Sequence, residues 1–456
     1  MYYDSLDTDT TIIAPATATG GATSVVRLSG PKAIEIADAL FRGRERLSNA
    51  DGYTLHYGRI IDAEGATLDD VVVALFRAPH SYTGDDTVEI TLHGSEYITT
   101  TLIRLAIAKG ARMANPGEFT RRAFLAGKMD LSRAEAVADI IASDSRWSHA
   151  VASTQMRGGY SERIAELRNS LLRLCSLLEL ELDFSEEDVI FADRMELQAI
   201  LNSVGNEIER LRNSFALGNV LKEGISVAII GEPNVGKSTL LNALVGDDRA
   251  MVSDIAGTTR DTIEATTTIE GIRYRFIDTA GLRTTDDKLE QMGIERTHRT
   301  MANASIILHL ASADNPQFES VDISNHQSTD GKQQHYIRII NKIDRQTVAP
   351  TDTQMLYISA KHGIGIDTLR HTLRSVADTS GLHAGDVVVS NMRHYEALCK
   401  AHEALEHART SLEANYPTDL VSEDVRNILH HLGEITGDIT SDDILQSIFS
   451  KFCIGK

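Results

Sequence analysis

Eight residues in the middle of the chain read Gly231-Glu232-Pro233-Asn234-Val235-Gly236-Lys237-Ser238. They follow an apolar run, residues 225–230, which predicts a strand, and they precede leucines at helical spacing, which predict a helix. A strand, a glycine-rich loop and a helix in this order are typical of a phosphate-binding loop, because backbone N–H groups and the positive end of the helix face the phosphates. This setting disfavours the alternative, a purely structural turn. We expect Lys237 to reach the β- and γ-phosphate oxygens and Ser238 to ligate Mg²⁺.

Two later motifs indicate which base is bound. Asn341-Lys342-Ile343-Asp344 follows the apolar residues 337–340. A carboxylate at Asp344 can accept both N–H groups on one edge of guanine, and adenine has no such pair of donors. Ser359-Ala360-Lys361 also follows an apolar run, so a backbone N–H there would lie near the guanine oxygen. The order and spacing of these motifs after the phosphate-binding loop predict GTP rather than ATP.

A further pair of segments matches the magnesium site and the switch of a GTP-binding domain. Asp278-Thr279-Ala280-Gly281 follows a predicted strand, so Asp278 would reach Mg²⁺ through a water molecule. The N–H of Gly281 would sense the γ-phosphate, which makes the following residues a natural switch. Upstream, the segment 257–261 offers Thr259 as a second Mg²⁺ ligand.

The residue after Gly281 is Leu282, where Ras-type GTPases carry a glutamine that orients the attacking water. Leucine has no polar atom for this task, so hydrolysis requires another group. The charged residues nearby that are candidates for this role are Arg283, Asp286, Asp287 and Glu290. Spacing alone does not choose among them.

Asn234 provides another indication about hydrolysis. Its amide oxygen, beside the phosphates, can ligate a monovalent cation. Such a cation would neutralise charge where an arginine finger acts in other GTPases, an effect of about 10³–10⁵ in rate. The side chain can equally only hydrogen-bond the loop, and the residue alone leaves both interpretations open.

Composition predicts a globular protein of two or three domains, because 456 residues exceed one ordinary core. Hydrophobic residues make up 42% and charged residues 24% of the chain. No apolar run approaches the roughly 20 residues of a membrane span, and the N-terminus lacks the basic start and apolar core of a signal peptide. Three scattered cysteines do not form a disulfide framework. We therefore expect a cytoplasmic protein that does not enter a membrane.

The net charge of −20 argues against diffuse binding of nucleic acid, so an RNA partner would need a local basic patch. Such a cluster consists of Lys109, Arg112, Arg121, Arg122 and Lys128. These side chains can form a phosphate-binding surface or simply a solvated face. The sequence leaves both interpretations open.

Patterning along the chain predicts an α/β fold combined with an all-α region. Residues 1–120 alternate strand-like runs with helical patterns, and residues 121–218 carry long amphipathic helices. The nucleotide-binding motifs occupy residues 219–380, and helical patterns resume over 381–456. Because the termini of a domain often lie close together, we expect one helical domain with the nucleotide domain inserted into it.

Four stretches outside the guanine-nucleotide motifs relate the chain to a known family. They are Thr11-Ile12-Ile13-Ala14 with Val26-Arg27-Leu28-Ser29-Gly30; Ser81-Tyr82-Thr83-Gly84-Asp85-Asp86 leading to Glu89 and His93-Gly94; residues 116–125 with Lys128-Met129-Asp130-Leu131 and Ala134-Glu135-Ala136; and Phe452-Cys453-Ile454-Gly455-Lys456. In these stretches, and over nearly its whole length, the chain resembles the family of the tRNA modification GTPase MnmE, also called TrmE.

This resemblance implies an N-terminal α/β domain that binds tetrahydrofolate and forms a homodimer, a central helical domain, and an inserted P-loop GTPase domain of the Ras-like type. It also implies that the protein acts with the flavoprotein MnmG (GidA) on certain tRNAs. The wobble uridine would receive an aminomethyl or carboxymethylaminomethyl group at its 5 position, with a one-carbon unit from folate.

Site residues follow from the same resemblance. The implied 5-formyl-tetrahydrofolate contacts are Arg27, Glu89, Lys128 and Lys456, and the implied K⁺ ligands are Asn234, Ser253, Ile255 through its backbone oxygen, and Thr258. Glu290 corresponds to a glutamate proposed to orient the catalytic water, and Arg283 is the less favoured helper. The implied GTP-binding residues are Asn234, Val235, Gly236, Lys237, Ser238, Thr239, Ser253, Asp254, Ile255, Ala256, Gly257, Thr258, Thr259, Asp278, Thr279, Ala280, Gly281, Asn341, Lys342, Asp344, Ser359, Ala360 and Lys361.

Two further parts of the chain, Cys453 and the segment 17–24, bear on this resemblance. Cys453 corresponds to a cysteine discussed for the modification chemistry, and it can equally be an inert or buried thiol. The segment 17–24 lacks the arginine that many family members carry there, which puts one loop contact to folate or tRNA in doubt.

The alternative function is that of a ribosome-assembly GTPase of the Era or EngA type, a binding switch without modification chemistry. Such proteins carry an RNA-binding KH or KH-like domain and lack a Cys-x-Gly-Lys terminus. This sequence shows no GXXG loop within a KH-like pattern.

Overall fold

The computed structural model describes residues 9–18, 20–183, 194–246, 264–278, 301, 304–318, 334–345, 355–376 and 387–455. The chain forms two compact units. The first contains Met1–Ala138, Gln155–Asn206 and Ala397–Lys456, and the second contains Asp139–Thr154 and Glu207–Glu396. Among the described helices, none combines the length and the apolar composition that crossing a membrane requires.

The first unit contains a seven-stranded sheet. Its strands are β1 (Ile12–Pro15), β2 (Thr23–Ser29), β3 (Phe41–Gly43), β4 (Thr54–Ile61), β5 (Thr67–Phe76), β6 (Thr87–His93) and β7 (Arg112–Met113), and its helices are α1 (Ala33–Leu40) and α2 (Glu96–Ala108). The spatial order is β3-β4-β5-β6-β2-β1-β7, and only the β1–β7 pair is parallel among the strand pairs described. The predicted strands and helices of this region are confirmed.

Alternation along these strands separates a buried face from an exposed one. Val73 and Ile90 on the buried face pack in one core with Leu40 and Leu102 of the two helices. On the other face, alternate residues of β4 are open to solvent. The β4 end of this second face therefore lacks a covering layer among the residues that the structure describes, whereas Phe119 packs with Ile12 and Ala14 at its β1 end.

The helical region follows the sheet along the chain. Its helices are α3 (Glu118–Leu125), α4 (Leu131–Ala142), α5 (Arg146–Met156), α6 (Gly159–Asp183) and α7 (Arg194–Glu223), and the later ones are α10 (Met392–Glu413), α11 (Thr418–Thr436) and α12 (Asp442–Phe449). The predicted amphipathic pattern is seen on α6, where apolar side chains at three- and four-residue spacing are buried from Ile164 to Leu178 and Leu182 in the last turn is 36% exposed. On α7 the corresponding apolar side chains are buried from Leu197 to Phe215. Helix α11 packs against α6, and Arg426 reaches Glu179 across this contact at 2.7 Å.

The second unit contains a six-stranded sheet, which carries the nucleotide motifs. Its strands are β8 (Ile225–Ile230), β9 (Glu264–Ile269), β10 (Ile272–Asp278), β11 (Ile306–Ser312), β12 (His335–Asn341) and β13 (Met355–Tyr357), and its helices are α8 (Lys237–Val245) and α9 (Ile366–Val376). The order is β13-β12-β11-β8-β10-β9, with β9 antiparallel and the others parallel. Every residue of β8 is buried, as in a sheet covered on both faces. Ligands of such sheets bind outside the carboxyl ends of the strands, where the motifs lie.

Candidate nucleotide-binding site

The phosphate-binding loop connects β8 to α8 as predicted. Gly231 and Gly236 have φ angles of 137° and 103°, which favour glycine. A Cβ atom on Gly231 would lie 2.2 Å from the carbonyl oxygen of Leu310, and one on Gly236 would lie 2.4 Å from Nδ2 of Asn341. Gly231 is therefore required by the close approach of the Leu310 backbone and Gly236 by the buried Asn341 amide, and both also by their dihedral angles.

Lys237, the first residue of α8, folds its side chain back over this loop. Its Nζ donates hydrogen bonds to the carbonyl oxygens of Gly231 at 2.6 Å and Glu232 at 3.0 Å. The ammonium group is thus held at the mouth of the loop, where phosphate oxygens would meet it. Ser238 and Thr239 follow with exposed side chains in the first turn of the helix. A hydroxyl oxygen in this position is a suitable ligand for Mg²⁺, so the residues present fit this ion.

Asn341 joins three motifs that are distant in sequence. It is 2% exposed at the end of β12. Its Nδ2 donates to the carbonyl oxygen of Val235 at 2.8 Å, and its Oδ1 accepts from the backbone N–H of Ala360 at 3.0 Å. Because a buried amide needs partners for both its donor and its acceptor, these bonds fix the phosphate-binding loop against the two base-recognition segments.

Asp344 is positioned by the same neighbourhood. The Ser359 hydroxyl donates to its Oδ1 at 2.6 Å, and this bond lowers the pKa of the carboxyl group. The group is therefore ionised at neutral pH, as an acceptor of two guanine N–H groups must be. Lys342 adopts a positive φ of 67° and its Nζ donates to the carbonyl oxygen of Asn234 at 2.6 Å. The guanine motif thereby contacts the phosphate-binding loop through Lys342 as well.

A second group of predicted residues meets on the sheet of the first unit. Arg27 and Glu89 are paired across β2 and β6, and Arg27 Nε lies 2.7 Å from Glu89 Oε1. Arg27 Nη1 donates to the carbonyl oxygen of Gly455 at 3.3 Å. The rings of Tyr82 and Phe119 lie within 5.7 Å and 5.5 Å of the guanidinium carbon. The C-terminal segment and two aromatic rings thus surround one ion pair.

Comparison with known proteins relates nearly the whole chain to one family. A family model described as the GTP-binding protein TrmE N-terminus matches residues 11–128, and one described as the MnmE helical domain matches residues 131–453. The tRNA modification GTPase MnmE of Cytophaga hutchinsonii is 47% identical over 452 residues, covering 98% of each chain. The chain belongs to the MnmE family of tRNA modification GTPases. The MnmE of Bacteroides fragilis is similar to the same degree, 47% over 462 residues, covering 98% of this chain and 99% of that one.

Membership of the MnmE family confirms the predicted fold class and the prediction of a GTPase. The N-terminal α/β region, the helical domain and the P-loop GTPase region are all present. Among solved structures, a variant of Era from Aquifex aeolicus bound to GDP and AlF4⁻ is 28% identical, covering 39% of this chain and 66% of that one, with a TM-score of 0.27.

Several site residues expected from the MnmE resemblance lie outside the described residues. They are the segment 253–259, which includes the predicted ligands Ser253, Ile255, Thr258 and Thr259; the segment 279–281; Arg283; Glu290; and Lys456. Asp278 is the last residue of β10, where it pairs with Ile229 of β8 two residues before the phosphate-binding loop. Asp278 therefore lies at the carboxyl end of its strand, as the sequence predicted.

Lys128 and Cys453 occupy separate surroundings. Lys128 is exposed and its Nζ donates to the carbonyl oxygen of Pro79. Cys453 is also exposed, and its carbonyl oxygen accepts from the N–H of Gly117 at 3.4 Å. The backbone of Cys453 is thus anchored while its thiol is open to solvent. Tyr82 and Phe119 were not predicted as site residues. Both lie in the stretches that carry the family resemblance, and this placement could have indicated them.

Two members of the predicted basic cluster are engaged in ion pairs. Arg122 is 4% exposed, and its Nη2 lies 3.1 Å from Glu118 Oε1. Arg112 Nη1 donates to Glu118 Oε2 at 2.8 Å. Burial alone would raise the pKa of Glu118, but the hydrogen bonds from Arg112 and the backbone of Asn115, with the charge of Arg122, hold it below its ordinary value. Arg122 therefore stabilises the fold. In the rest of the cluster Lys109 and Lys128 are exposed, and Arg112 and Arg121 are half-buried.

Proposed function

We propose that this chain is a K⁺-dependent GTP hydrolase that acts with the flavoprotein MnmG on the wobble uridine of certain tRNAs. The modification places an aminomethyl or carboxymethylaminomethyl group at the 5 position, using a one-carbon unit from a tetrahydrofolate. The observation that carries this proposal is the meeting of the Arg27–Glu89 pair with the C-terminal segment, in a chain that also holds a guanine-nucleotide site. The function of a switch GTPase without modification chemistry does not require the contact between the Arg27–Glu89 pair and the C-terminal segment.

The chemistry of Arg27 and Glu89 fits a folate. The glutamate tail of a folate needs a cation, and the N–H groups of its pterin ring need a carboxylate. Arg27 is 14% and Glu89 29% exposed in their side chains, so both can be reached from solvent. The aromatic rings of Tyr82 and Phe119 beside Arg27 offer flat surfaces for a pterin. We assign Lys128 and Lys456 to the same ligand and Cys453 to the modification chemistry.

A homodimer is part of the proposal. Leu55 and Tyr57 of β4 are 73% and 72% exposed, Tyr53 just before this strand is 71% exposed, and Val72 on the neighbouring β5 is 39% exposed. Large apolar side chains concentrated on one surface mark an interaction site more often than scattered ones do. We propose that a second copy of this chain covers them. We place the protein in the cytoplasm, where its tRNA substrates are found.

The functional segments of the chain are proposed to be residues 1–120 for folate binding and dimerisation, 121–218 and 381–456 for the helical domain, and 219–380 for the GTPase domain. Among the described helices, α4, α5, α7 and α10 each contain residues of both compact units. The boundaries of the two compact units therefore do not coincide with the proposed boundaries of the helical domain.

In the GTPase domain, Lys237 would neutralise the β- and γ-phosphates, Ser238 and Thr259 would hold Mg²⁺, and Asp344 would bind guanine. Glu290 is proposed to orient the attacking water, since Leu282 has no polar atom for that role, and Arg283 is the alternative helper. Bound Mg²⁺ would supply charge stabilisation to the phosphates when present.

The direct test is mass spectrometry of tRNA nucleosides from cells with and without the gene. We expect the 5-substituted wobble uridines to disappear with the gene and to return with the intact chain. Asp278→Ala should fail to restore them, whereas Asp367→Asn should restore them, because Asp367 is 88% exposed on α9. Unchanged nucleosides in the deleted cells would overturn the proposal and favour a ribosome-assembly GTPase.

Replacing K⁺ by Na⁺ should slow GTP hydrolysis by about tenfold or more. The proposed ligands would then hold the positive charge of the cation less well against the charge that develops on the phosphates in the transition state. Asn234 supports the assignment: it has a φ of 63° and an exposed side chain within the phosphate-binding loop. Ser253, Ile255 and Thr258 complete the proposed ligand set. The measurement is kcat at matched ionic strength in the two salts, and Asn234→Ala should lose the difference. Equal rates in both salts would remove K⁺ from the mechanism.

A further inference from the structure

Three side chains with metal-binding atoms converge on helix α11, away from the residues assigned above. Among the residues that the structure describes, His430, His431 and Glu434 bring one ligand atom each to within 4.8 Å of the others. Positions i, i+1 and i+4 of a helix permit this, since residues three and four apart lie on one face. The cluster is therefore a direct product of the spacing His-His-x-x-Glu.

The distances within this cluster suit a tetrahedral ion. His430 Nε2 lies 3.3 Å and His431 Nδ1 lies 3.6 Å from the same oxygen, Glu434 Oε1. Zn²⁺ binds imidazole nitrogen and carboxylate oxygen at about 2.0–2.2 Å, which separates two ligands of a tetrahedral site by about 3.4 Å. Small side-chain rotations would bring the three atoms around one ion.

His431 carries an unsatisfied polar atom at this point. Its Nδ1 is shielded from solvent and makes no hydrogen bond within the described part of the chain. Its contact with Glu434 Oε1, at 3.6 Å, is too long for a hydrogen bond, so this shielded nitrogen lacks one, and a metal ion would satisfy it. The two imidazole rings lie 5.4 Å apart at an interplanar angle of 80°, so they do not stack on each other. His430, by contrast, is 51% exposed, which gives an ion access from solvent.

The electrostatic setting also favours a cation. The cluster lies in the last two turns of α11, which ends at Thr436 before Gly437 in the left-handed conformation. The carbonyl end of a helix carries partial negative charge and attracts cations. The chain as a whole carries a formal charge of −20.

We propose that His430, His431 and Glu434 form a Zn²⁺ site with three protein ligands and a coordination position open to water. Two imidazoles and one carboxylate select late first-row transition ions over Mg²⁺ or Ca²⁺, which prefer oxygen ligands alone. The site is independent of GTP and folate. By joining positions 430 and 434, the ion stabilises the carboxyl-terminal turns of α11.

The test uses the full-length protein, stripped of metal by a chelator and then supplied with GDP and excess Mg²⁺ so that the nucleotide site is filled. Zn²⁺ is titrated against a chromophoric competitor. We expect one Zn²⁺ per chain, with the affinity lowered at least about tenfold in both His430→Ala and Glu434→Gln. His407→Ala should bind like the wild type, because His407 is also an exposed helical histidine, four residues after Glu403 on α10.

Absence of Zn²⁺ binding by the wild type would overturn the proposal, and so would unchanged affinity in the two ligand variants. Co²⁺ provides a second readout because its absorption reports its ligands. A visible d–d spectrum that is lost in His430→Ala supports the site. An intense thiolate-to-cobalt band would place the ion on a cysteine and contradict it. Because His430 is exposed, its replacement is not expected to unfold the chain.

Discussion

Asp344→Asn is expected to lower the affinity for GTP by about 10²–10⁴-fold. In the proposed site the carboxylate would accept two hydrogen bonds from the guanine edge, and each bond to a charged group contributes about 1.5–3 kcal/mol. Asparagine replaces one acceptor oxygen with an N–H₂ donor, which then faces a donor of the base. Xanthine carries a carbonyl oxygen where guanine has its amino group, so the variant should bind XTP more tightly than the wild type does. The measurement is the Kd of each nucleotide by calorimetry.

The structure offers a matched control for this change. Asp367→Asn alters an aspartate that is 88% exposed and whose Oδ1 lies 3.5 Å from Nη1 of Arg370. Its affinity for GTP should equal that of the wild type. Ser359→Ala keeps the carboxylate but removes the 2.6 Å bond that orients it, so an intermediate loss is expected. If Asp344→Asn bound GTP normally, the base would be recognised elsewhere.

Lys237→Ala is expected to lower kcat/KM for GTP by at least about 10²–10³-fold, the loss typical of one preorganised donor at developing charge. The carbonyl oxygens of Gly231 and Glu232 hold the ammonium group at the loop. The substitution therefore removes a positive charge that is already in position for the phosphates. Steady-state hydrolysis at several GTP concentrations measures the effect.

Two comparisons interpret this result. Lys237→Arg keeps the charge but not the compact ammonium, so it should restore little activity. Lys400→Ala removes an exposed lysine of α10 and should hydrolyse GTP at the wild-type rate. Hydrolysis by Lys237→Ala at an unimpaired rate would exclude this lysine from the phosphate site.

The strand–loop–helix arrangement of the candidate site could be predicted from the sequence because most of its determinants are local. A strand of buried residues, two glycines that allow close backbone approach and a lysine at the start of a helix all occur within Ile225 to Lys237. The motifs at Asp344 and Ser359 follow strands that lie in one parallel sheet, so their ends meet at one edge.

Other features depend on contacts that spacing does not reveal. Asn341 reaches Val235 across 106 positions, and its two bonds become visible only when β12 and the loop are placed in space. Arg122 lies in a basic stretch that suggests a surface, yet Glu118 one turn earlier and the surrounding core bury it. The short strands β3 and β7 at the sheet edges carry too few residues for a period to be recognised.

The amide of Asn341 has a consequence for engineering. Since one side chain bonds to both Val235 and Ala360, the phosphate loop and the base loops are not interchangeable modules. A loop grafted from another nucleotide-binding protein would have to present its carbonyl oxygen to this amide at the same place. Altering base preference without loss of phosphate affinity is therefore best attempted at Asp344, whose carboxylate bonds to Ser359 of the base loops and not to the Asn341 amide.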